Sequence, residues 1–388
     1  MKILCISNLY PPYFEGGYEI SVKETMDFLS EQGHEVYVLC GYKGVETSTI
    51  PNLAIERDAP LRILRYINYH EASIRNKHEV EKFNYLITCQ VLDLVKPEIV
   101  YFGNMKAISI APIIAVQKSG HKRIFDIGDI WLKNYSAKDL RSRFYRFVKG
   151  LLPFTISGKI HLDPVIVISD WLSKEVAMRY HSKQIHLVPR GIALPPENVR
   201  AISEPLTFVF AGRIEPLKGL DLVIQAAGRV VAEHQDFKVD IYGEADPDYL
   251  SRCHLQIQKL HLENHFCFKG KSTDLMNILP RYDVLLMPTM AQEALGRVII
   301  EAMACSLIVI ATDAYGPKEI ITHAQNGFLF KRGSSADLAA SILQIYRLDI
   351  SALEKVRQAA RAEVEQKYEI NLVKKQIQNI LENIVNET

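Results

Sequence analysis

The sequence predicts an α/β protein with two doubly wound, Rossmann-like domains. Its 388 residues are long for a single core, and about two domains are expected at this length. Short apolar segments typical of strands alternate with amphipathic helical stretches, which indicates βα units. The strand segments are continuously apolar, as in parallel sheets that helices cover on both faces.

The first domain is predicted to cover residues 1–190. The apolar segment KILCIS is interpreted as a first strand, because it is too short for a signal peptide or a membrane span. A helix from about residue 20 to 32 follows and ends at Gly33. The later strand segments of this domain are EVYVLC, EIVYF, RIFDI, VIVIS and IHLVP.

Prolines and a glycine interrupt the pattern at residues 188–205, and a linker is predicted at 191–205. A second domain is predicted at 206–365, with a helix from about 217 to 234 after its first strand. Its strand segments are TFVFAG, KVDIYG, HFCFKG, YDVLLMP, LIVIAT and GFLF. Helices are predicted at 351–367 and 371–387, and the segment 366–388 is expected to pack on the first domain.

Composition excludes several classes of protein. The net charge of +1 gives no overall attraction to nucleic acid, and no apolar run reaches about 18 residues. None of the six cysteines lies in a CxxC pair, and no Cys/His cluster has zinc spacing. A reducing, cytoplasmic setting is therefore expected.

The segment FAGRIEPLKGLD places two cations, Arg213 and Lys218, between a strand and a helix. A helix N-terminus has unpaired amides and a partial positive charge, so with these cations it suits a diphosphate. The alternative is a pair of solvated cations in a loop. The segment NLYPPYFEGGYEISV has the same setting, and Gly16 and Gly17 would let a backbone approach a ligand closely. The alternative there is a simple turn.

Two glutamates, Glu293 and Glu301, lie in the segment MAQEALGRVIIEAMA, where Gly296 is expected near a helix start. Fully helical spacing would separate the two by about 12 Å along the axis. Glycosidase acid/base pairs are roughly 5–9.5 Å apart, so a hydrolytic pair is disfavoured. Glu293 is expected at the helix mouth, and Glu301 could reach a pair of hydroxyls or could be a solvated helix residue.

No metal site is expected. The only Asp-x-Asp segment, Asp246–Asp248, precedes a predicted helix and is interpreted as a helix cap.

The sequence resembles glycosyltransferase family 4 in the segments quoted above that contain Gly16, Arg213 and Glu293, and in DAYGPKEII and NGFLF. Members of this family are retaining enzymes of the GT-B fold that use nucleotide sugars. The resemblance covers nearly the whole chain and is strongest from about Thr207 to Phe330. It implies two Rossmann-like domains facing across a cleft, with acceptor binding in the first domain and nucleotide-sugar binding in the second.

The resemblance also implies residue roles. Arg213 and Lys218 would bind the donor diphosphate, Glu293 would face the donor sugar, and Glu301 would hold the ribose hydroxyls. Gly16 and Gly17 would close over the leaving phosphate, and Lys271 would lie by the nucleobase. The backbone amides near sugar and phosphate would be those of Ala294, Leu295, Gly296 and Arg297.

Two positions depart from the family pattern. Gly128 stands where many members have a histidine, which leaves Asp126 or Asp129 as the polar group on the acceptor side. Either aspartate could instead cap a helix or a turn. Arg190-Gly191 replaces an asparagine-glycine pair at the linker.

The resemblance implies a metal-independent hexosyltransferase of polysaccharide biosynthesis, with a UDP- or GDP-sugar donor and a glycan, lipid-linked or small-molecule acceptor. The alternatives left open are a non-catalytic nucleotide-sugar-binding partner and a sugar-nucleotide epimerase of the same fold. The basic, aromatic segment Leu132–Phe154 could contact an anionic membrane surface at the inner face, or it could be a surface helix whose aromatic residues face the core.

Overall fold

The computed structural model describes residues 1–14, 16–42, 56–58, 61–68, 77–106, 108–130, 160–196, 200–272 and 274–387. The chain forms two compact units. The first comprises Met1–Val188 and Lys374–Thr388, and the second comprises Pro189–Val373. Residues 191–205, predicted as a linker, therefore lie within the second unit.

The first unit has a sheet whose strand order is β3-β4-β2-β1-β5-β6-β7-β8. All neighbours are parallel except β3 and β4. The strands are β1 (Lys2–Ser7), β2 (Glu35–Tyr42), β3 (Glu56–Asp58), β4 (Leu61–Asn68), β5 (Ile99–Phe102), β6 (Arg123–Ile127), β7 (Val165–Val167) and β8 (Ile185–Leu187). The helices described in this unit are α1 (Gly17–Glu31), α2 (Lys77–Val95), α3 (Ala111–Ser119) and α4 (Asp170–Tyr180). The sequence did not predict β3 or β4, because Arg62 and Arg65 interrupt the apolar run of β4.

The second unit has a parallel sheet of order β11-β10-β9-β12-β13-β14. Its strands are β9 (Phe208–Ala211), β10 (Val239–Tyr242), β11 (Phe266–Gly270), β12 (Val284–Met287), β13 (Ile308–Thr312) and β14 (Phe328–Phe330). Its helices are α5 (Leu220–Val230), α6 (Pro247–Lys259), α7 (Leu275–Ile278), α8 (Arg297–Ala304), α9 (Tyr315–Ile320), α10 (Ser335–Tyr346) and α11 (Ile350–Lys367). A last helix, α12 (Ile370–Asn386), begins in the second unit, and its residues from Lys374 onward belong to the first.

The predicted α/β class is confirmed, and burial explains the strand pattern. Every residue of β12 and of β13 is buried, as expected for strands that are covered on both faces. The predicted helix at 217–234 is wrong in its first turn. A 3₁₀ turn at Pro216–Lys218 is separated from α5 by Gly219, whose φ of 74° lies in the left-handed region and interrupts the helix.

The six cysteines are free, and four of them are buried. Within the described part of the chain, no helix is both long and apolar enough to cross a membrane.

Asp283 fixes the start of β12, the strand that leads into the candidate site. Its side chain is only 1% exposed. Its carboxylate accepts hydrogen bonds from Arg200 Nη2 (2.6 Å), the Ser203 amide (3.2 Å), the Thr207 amide (2.9 Å) and Thr207 Oγ1 (2.6 Å). One buried carboxylate therefore joins β12 to the segment that precedes β9.

We expect Asp283→Ala to lower the free energy of unfolding by about 3 kcal/mol, because several donors lose a buried acceptor at once. The matched control is Asp349→Ala, which removes a single cap bond to the Ala352 amide (2.7 Å) and should cost about 1 kcal/mol. Urea denaturation measures both values, and equal losses would contradict the anchoring role.

Candidate functional site

The strand order of the second unit reverses between β9 and β12. The chain runs outward from β9 to β10 and β11 on one side, and from β12 to β13 and β14 on the other. Ligands of open parallel sheets bind at such a reversal, beyond the carboxyl ends of the strands. The segments that follow these two central strands are 212–219 and 288–296, and they contain Arg213, Lys218 and Glu293.

Backbone hydrogen bonds hold these two segments together. The Leu217 carbonyl oxygen accepts from the Met290 amide (2.8 Å), the Ala291 amide (3.1 Å) and Thr289 Oγ1 (3.2 Å). Gly219 packs so closely that a Cβ there would collide with the Pro288 carbonyl oxygen. Its left-handed φ also favours glycine, so the backbone on both sides of Lys218 is fixed.

Lys218 and Glu293 form the central contact of the site. Lys218 Nζ lies 2.6 Å from Glu293 Oε2, and the two side chains are 20% and 24% exposed. The structure thus brings together two residues that are 75 positions apart and were both predicted to bind the ligand. They form an ion pair, which is a stronger contact than a pair fully exposed to water.

Helix α8 begins beside this pair. Gly296 is its N-cap with φ 87°, and Arg297 is its first residue, which agrees with the predicted helix start. Among the described residues, the amides of residues 294–298 donate to no acceptor. Unpaired amides at a helix N-terminus favour an anion, and Lys218 contacts Glu293, three residues before the N-cap of this helix. The amides of Ala294, Leu295, Gly296 and Arg297, which were predicted to lie near sugar and phosphate, thus have no acceptor among the described residues.

Glu301 lies one turn into α8 and is not a solvated residue. Its side chain is 14% exposed, and its Oε1 accepts a hydrogen bond from Arg297 Nε (2.8 Å). A hydroxyl pair that binds Glu301 would therefore bind beside Arg297, which is 34% exposed.

The remaining two predicted cations are at the surface. Arg213 is 70% exposed and pairs with Glu215 (3.0 Å), and Lys271 is 64% exposed and pairs with Glu244 (2.6 Å). The hydrogen bond from Lys271 holds the pKa of the Glu244 carboxyl below its usual value. Neither cation contacts the Lys218–Glu293 pair in a described interaction.

Gly316 contributes to the site, and the sequence analysis assigned it no role. Its amide donates to the Glu293 carbonyl oxygen (2.9 Å), and a Cβ there would collide with the Ala294 carbonyl group. The segment after β13 therefore packs against residues 293–295, which include Glu293 and two of the amides without an acceptor. The signal in the sequence was a glycine followed by a proline shortly after the end of the predicted strand LIVIAT.

The strand order of the first unit reverses at β1, between β2 and β5. Gly17 begins α1, and the preceding Gly16 has an extended φ of −164° with nothing within 4 Å of a built Cβ. Gly16 therefore does not adopt a backbone conformation that only glycine allows, and the space beside it is open.

Glu19 was missed by the sequence analysis and organises this second reversal. Its side chain is 2% exposed, and its Oε2 accepts from the Gly16 amide (3.1 Å). Its Oε1 accepts from Asn104 Nδ2 (2.9 Å), which lies directly after β5. The spacing of Gly16 and Glu19 is that of a capping box, which is the signal that could have identified it.

Asp126 lies within β6 and Asp129 follows it, and the two differ in solvent exposure. Asp126 is fully buried, and its Oδ2 accepts from the Tyr101 hydroxyl (2.5 Å). Asp129 is exposed, so it is the one of the two that a ligand can reach. Gly128 donates its amide to the Tyr18 hydroxyl (3.3 Å), and that hydroxyl donates to the Asp126 carbonyl oxygen. Burial raises the pKa of Tyr180 to about 12, and the Asp129 charge adds to this shift.

Two further expectations have different outcomes. Asp246 caps α6 by accepting from the Tyr249 amide (2.8 Å), which confirms the cap interpretation of the Asp-x-Asp segment. The segment Leu132–Phe154 lies outside the described residues. Within the described ranges, no group of three or more His, Cys, Asp or Glu side chains could hold a metal ion.

Comparisons with known proteins give a family match in the second unit. Residues 196–363 match the family model described as "Glycosyl transferases group 1". The poly(ribitol-phosphate) alpha-N-acetylglucosaminyltransferase of Staphylococcus aureus is 31% identical over 252 residues, which are 64% of this chain and 49% of that protein. The matched region spans about half the length of the curated relatives.

Solved structures match the whole chain. A glycosyltransferase from Rickettsia africae has a TM-score of 0.74 at 18% identity and covers 100% of both chains. HepE from Anabaena in complex with UDP has a TM-score of 0.71 at 21% identity and covers 99% of this chain and 100% of its own. HepE was also solved with UDP-glucose, where the TM-score is 0.67. At these identities the likeness shows the fold.

The close packing at Gly316 gives a prediction. We expect Gly316→Ala to lower the free energy of unfolding by about 1–3 kcal/mol, because the backbone of residues 294–295 must shift. The matched control is Gly228→Ala in α5, where a Cβ meets only Leu260 Cδ1 at 3.9 Å. That change should stabilise the protein by up to about 1 kcal/mol. Denaturant midpoints test both, and a neutral Gly316→Ala variant would contradict the packing argument.

Proposed function

We propose that the protein is a retaining glycosyltransferase, because the chain has the GT-B fold and its residues 196–363 match the family model of glycosyl transferases group 1. It would move a hexose from a nucleoside-diphosphate sugar to a glycan, lipid-linked or small-molecule acceptor. The observation that carries the proposal is the convergence of Lys218, Glu293 and the free amides of α8 at the strand reversal of the second unit.

The diphosphate is assigned to Lys218 and the α8 amides. When the bond from the sugar to phosphate breaks, negative charge develops on the leaving nucleoside diphosphate. Positive groups aimed at that charge stabilise the transition state more than the ground state, which accelerates the chemical step. Arg213 is proposed to bind the same phosphates. Its present ion pair with Glu215 is exposed to water and therefore weak, so the guanidinium can leave it to contact a phosphate.

The sugar and the nucleoside are assigned to the two glutamates and to Lys271. Glu293 has a carboxylate at the helix mouth that can accept hydrogen bonds from the hydroxyls of a hexose. Glu301, one turn further along α8, can accept from the two ribose hydroxyls. Lys271 follows β11 and is assigned to the side of the nucleobase.

Retention follows if the acceptor attacks from the side that the phosphate leaves. The bond from C1 to the phosphate oxygen breaks, the acceptor oxygen bonds to C1, and the acceptor proton passes to the leaving phosphate. The leaving phosphate is then the base of the reaction, and the groups that bind the diphosphate also hold this base in position. Gly16, Gly17 and the exposed Asp129 of the first unit are proposed for the leaving phosphate and the acceptor side.

The comparisons support a donor and an acceptor class. HepE was solved in complex with UDP and with UDP-glucose, which favours a uridine nucleotide as the donor. The name of the Staphylococcus aureus relative includes a poly(ribitol-phosphate) acceptor, which favours a role in polysaccharide synthesis. The reducing, cytoplasmic setting and a peripheral contact with the inner membrane face stay part of the proposal.

Replacing Lys218 tests the diphosphate assignment. We expect Lys218→Ala to lower kcat/KM for sugar transfer by about 100-fold or more, because a positive group aimed at developing charge is lost. Lys367→Ala is the control, since Lys367 forms a 2.7 Å pair with Glu363 at the end of α11. Sugar transfer from a panel of nucleotide sugars measures both. An active Lys218→Ala variant that folds normally would remove the assignment.

Chelation tests the metal-independent mechanism. Side-chain cations and backbone amides supply the positive charge in the proposed site, so EDTA followed by desalting should leave the transfer rate within about twofold of the untreated value. Loss of activity that returns on adding Mg²⁺ or Mn²⁺ would show that a metal ion carries this charge instead.

A further inference from the structure

The ligand-binding lysine of the proposed donor site is already neutralised by a side chain of the same site. Lys218 Nζ lies 2.6 Å from Glu293 Oε2, and both side chains are mostly buried. The backbone that carries them is fixed from both sides, by the hydrogen bonds to Leu217 and by the bond from Gly316 to Glu293. The pair is therefore part of the built site rather than a chance surface contact.

A diphosphate must compete with Glu293 for this lysine. A phosphate oxygen that takes the ammonium leaves the carboxylate without its cation and adds negative charge beside it. A mostly buried carboxylate without its cation is unfavourable unless other hydrogen-bond donors reach it.

A nucleoside-diphosphate sugar brings those donors, and a free nucleoside diphosphate does not. The hydroxyls of the hexose can donate to the Glu293 carboxylate and replace the lost ammonium. In the free diphosphate the sugar is replaced by a terminal phosphate oxygen, which carries more negative charge and has no hydroxyl to donate.

We propose that Glu293 sets the selectivity of the site between donor and product: its carboxylate disfavours the free nucleoside diphosphate and so promotes product release after transfer. The inference rests on the proposed function, since it assigns the diphosphate to Lys218. It makes Glu293 a selectivity-determining residue in addition to a contact of the donor sugar.

Isothermal titration with UDP, UDP-glucose and inorganic pyrophosphate tests the proposal on the full chain. Glu293→Gln keeps the shape and an acceptor oxygen and removes the charge. We expect it to bind UDP and pyrophosphate at least about fivefold more tightly than the wild type, the factor that matches about 1 kcal/mol for one such ion pair. UDP-glucose affinity should not rise, so the preference for UDP-glucose over UDP should fall by about fivefold.

Two variants control for trivial effects. Glu363→Gln changes a second lysine–glutamate pair of nearly the same length, 2.7 Å, in which the glutamate is 20% exposed. It should leave all three affinities unchanged. Glu293→Asp keeps the charge and should keep pyrophosphate binding as weak as in the wild type, which a loss of packing alone would not predict.

The outcomes separate this inference from the proposed function. Unchanged or weaker pyrophosphate and UDP binding by Glu293→Gln overturns the selectivity role even if the enzyme transfers sugar. Tighter pyrophosphate binding by Glu293→Gln, in a protein that binds neither UDP nor UDP-glucose, supports the competition for Lys218 and overturns the uridine donor.

Discussion

The ion pair between Lys218 and Glu293 is the contact on which the candidate site depends. It joins the segments that follow β9 and β12, the two strands between which the order of the second sheet reverses. The hydrogen bonds to the Leu217 carbonyl and the close approach of Gly219 to Pro288 hold the same segments in register. Because the Gly316 amide also donates to the Glu293 carbonyl oxygen, the segments that follow three neighbouring strands, β9, β12 and β13, together position Glu293 near the N-terminus of α8.

Each unit places a mostly buried glutamate at its strand reversal, but the two glutamates act differently. Both carboxylate oxygens of Glu19 accept hydrogen bonds within the unit, one from the Gly16 amide at the start of α1 and one from the Asn104 side chain after β5. Glu19 therefore has a structural role. Glu293 forms an ion pair with Lys218, and the amides of residues 294–298 have no acceptor among the described residues. This difference supports the proposal that the second unit binds the nucleotide sugar.

The sequence predicted the fold class because it depends on local patterns, and it singled out Lys218 and Glu293, which the structure places in contact. Continuous apolar strands indicated parallel sheets, and cations after a strand indicated a phosphate site. The pairing of Lys218 with Glu293, and of Arg297 with Glu301, depends on tertiary contacts and rotamers that no spacing rule gives. The arginines of β4 concealed a strand, and the left-handed Gly219 divided a helix that apolar periodicity had predicted as continuous. Gly316 was missed because its effect is a backbone contact with residues more than twenty positions away.

A crystal structure of the protein with a nucleoside-diphosphate sugar bound would show directly whether Lys218 and Glu293 form the donor site. Phosphate oxygens are expected within hydrogen-bonding distance of Lys218 Nζ and of the amides at the start of α8, and the hexose hydroxyls are expected to bind Glu293. A nucleotide bound elsewhere, with the Lys218–Glu293 pair still closed at its present 2.6 Å, would contradict this assignment.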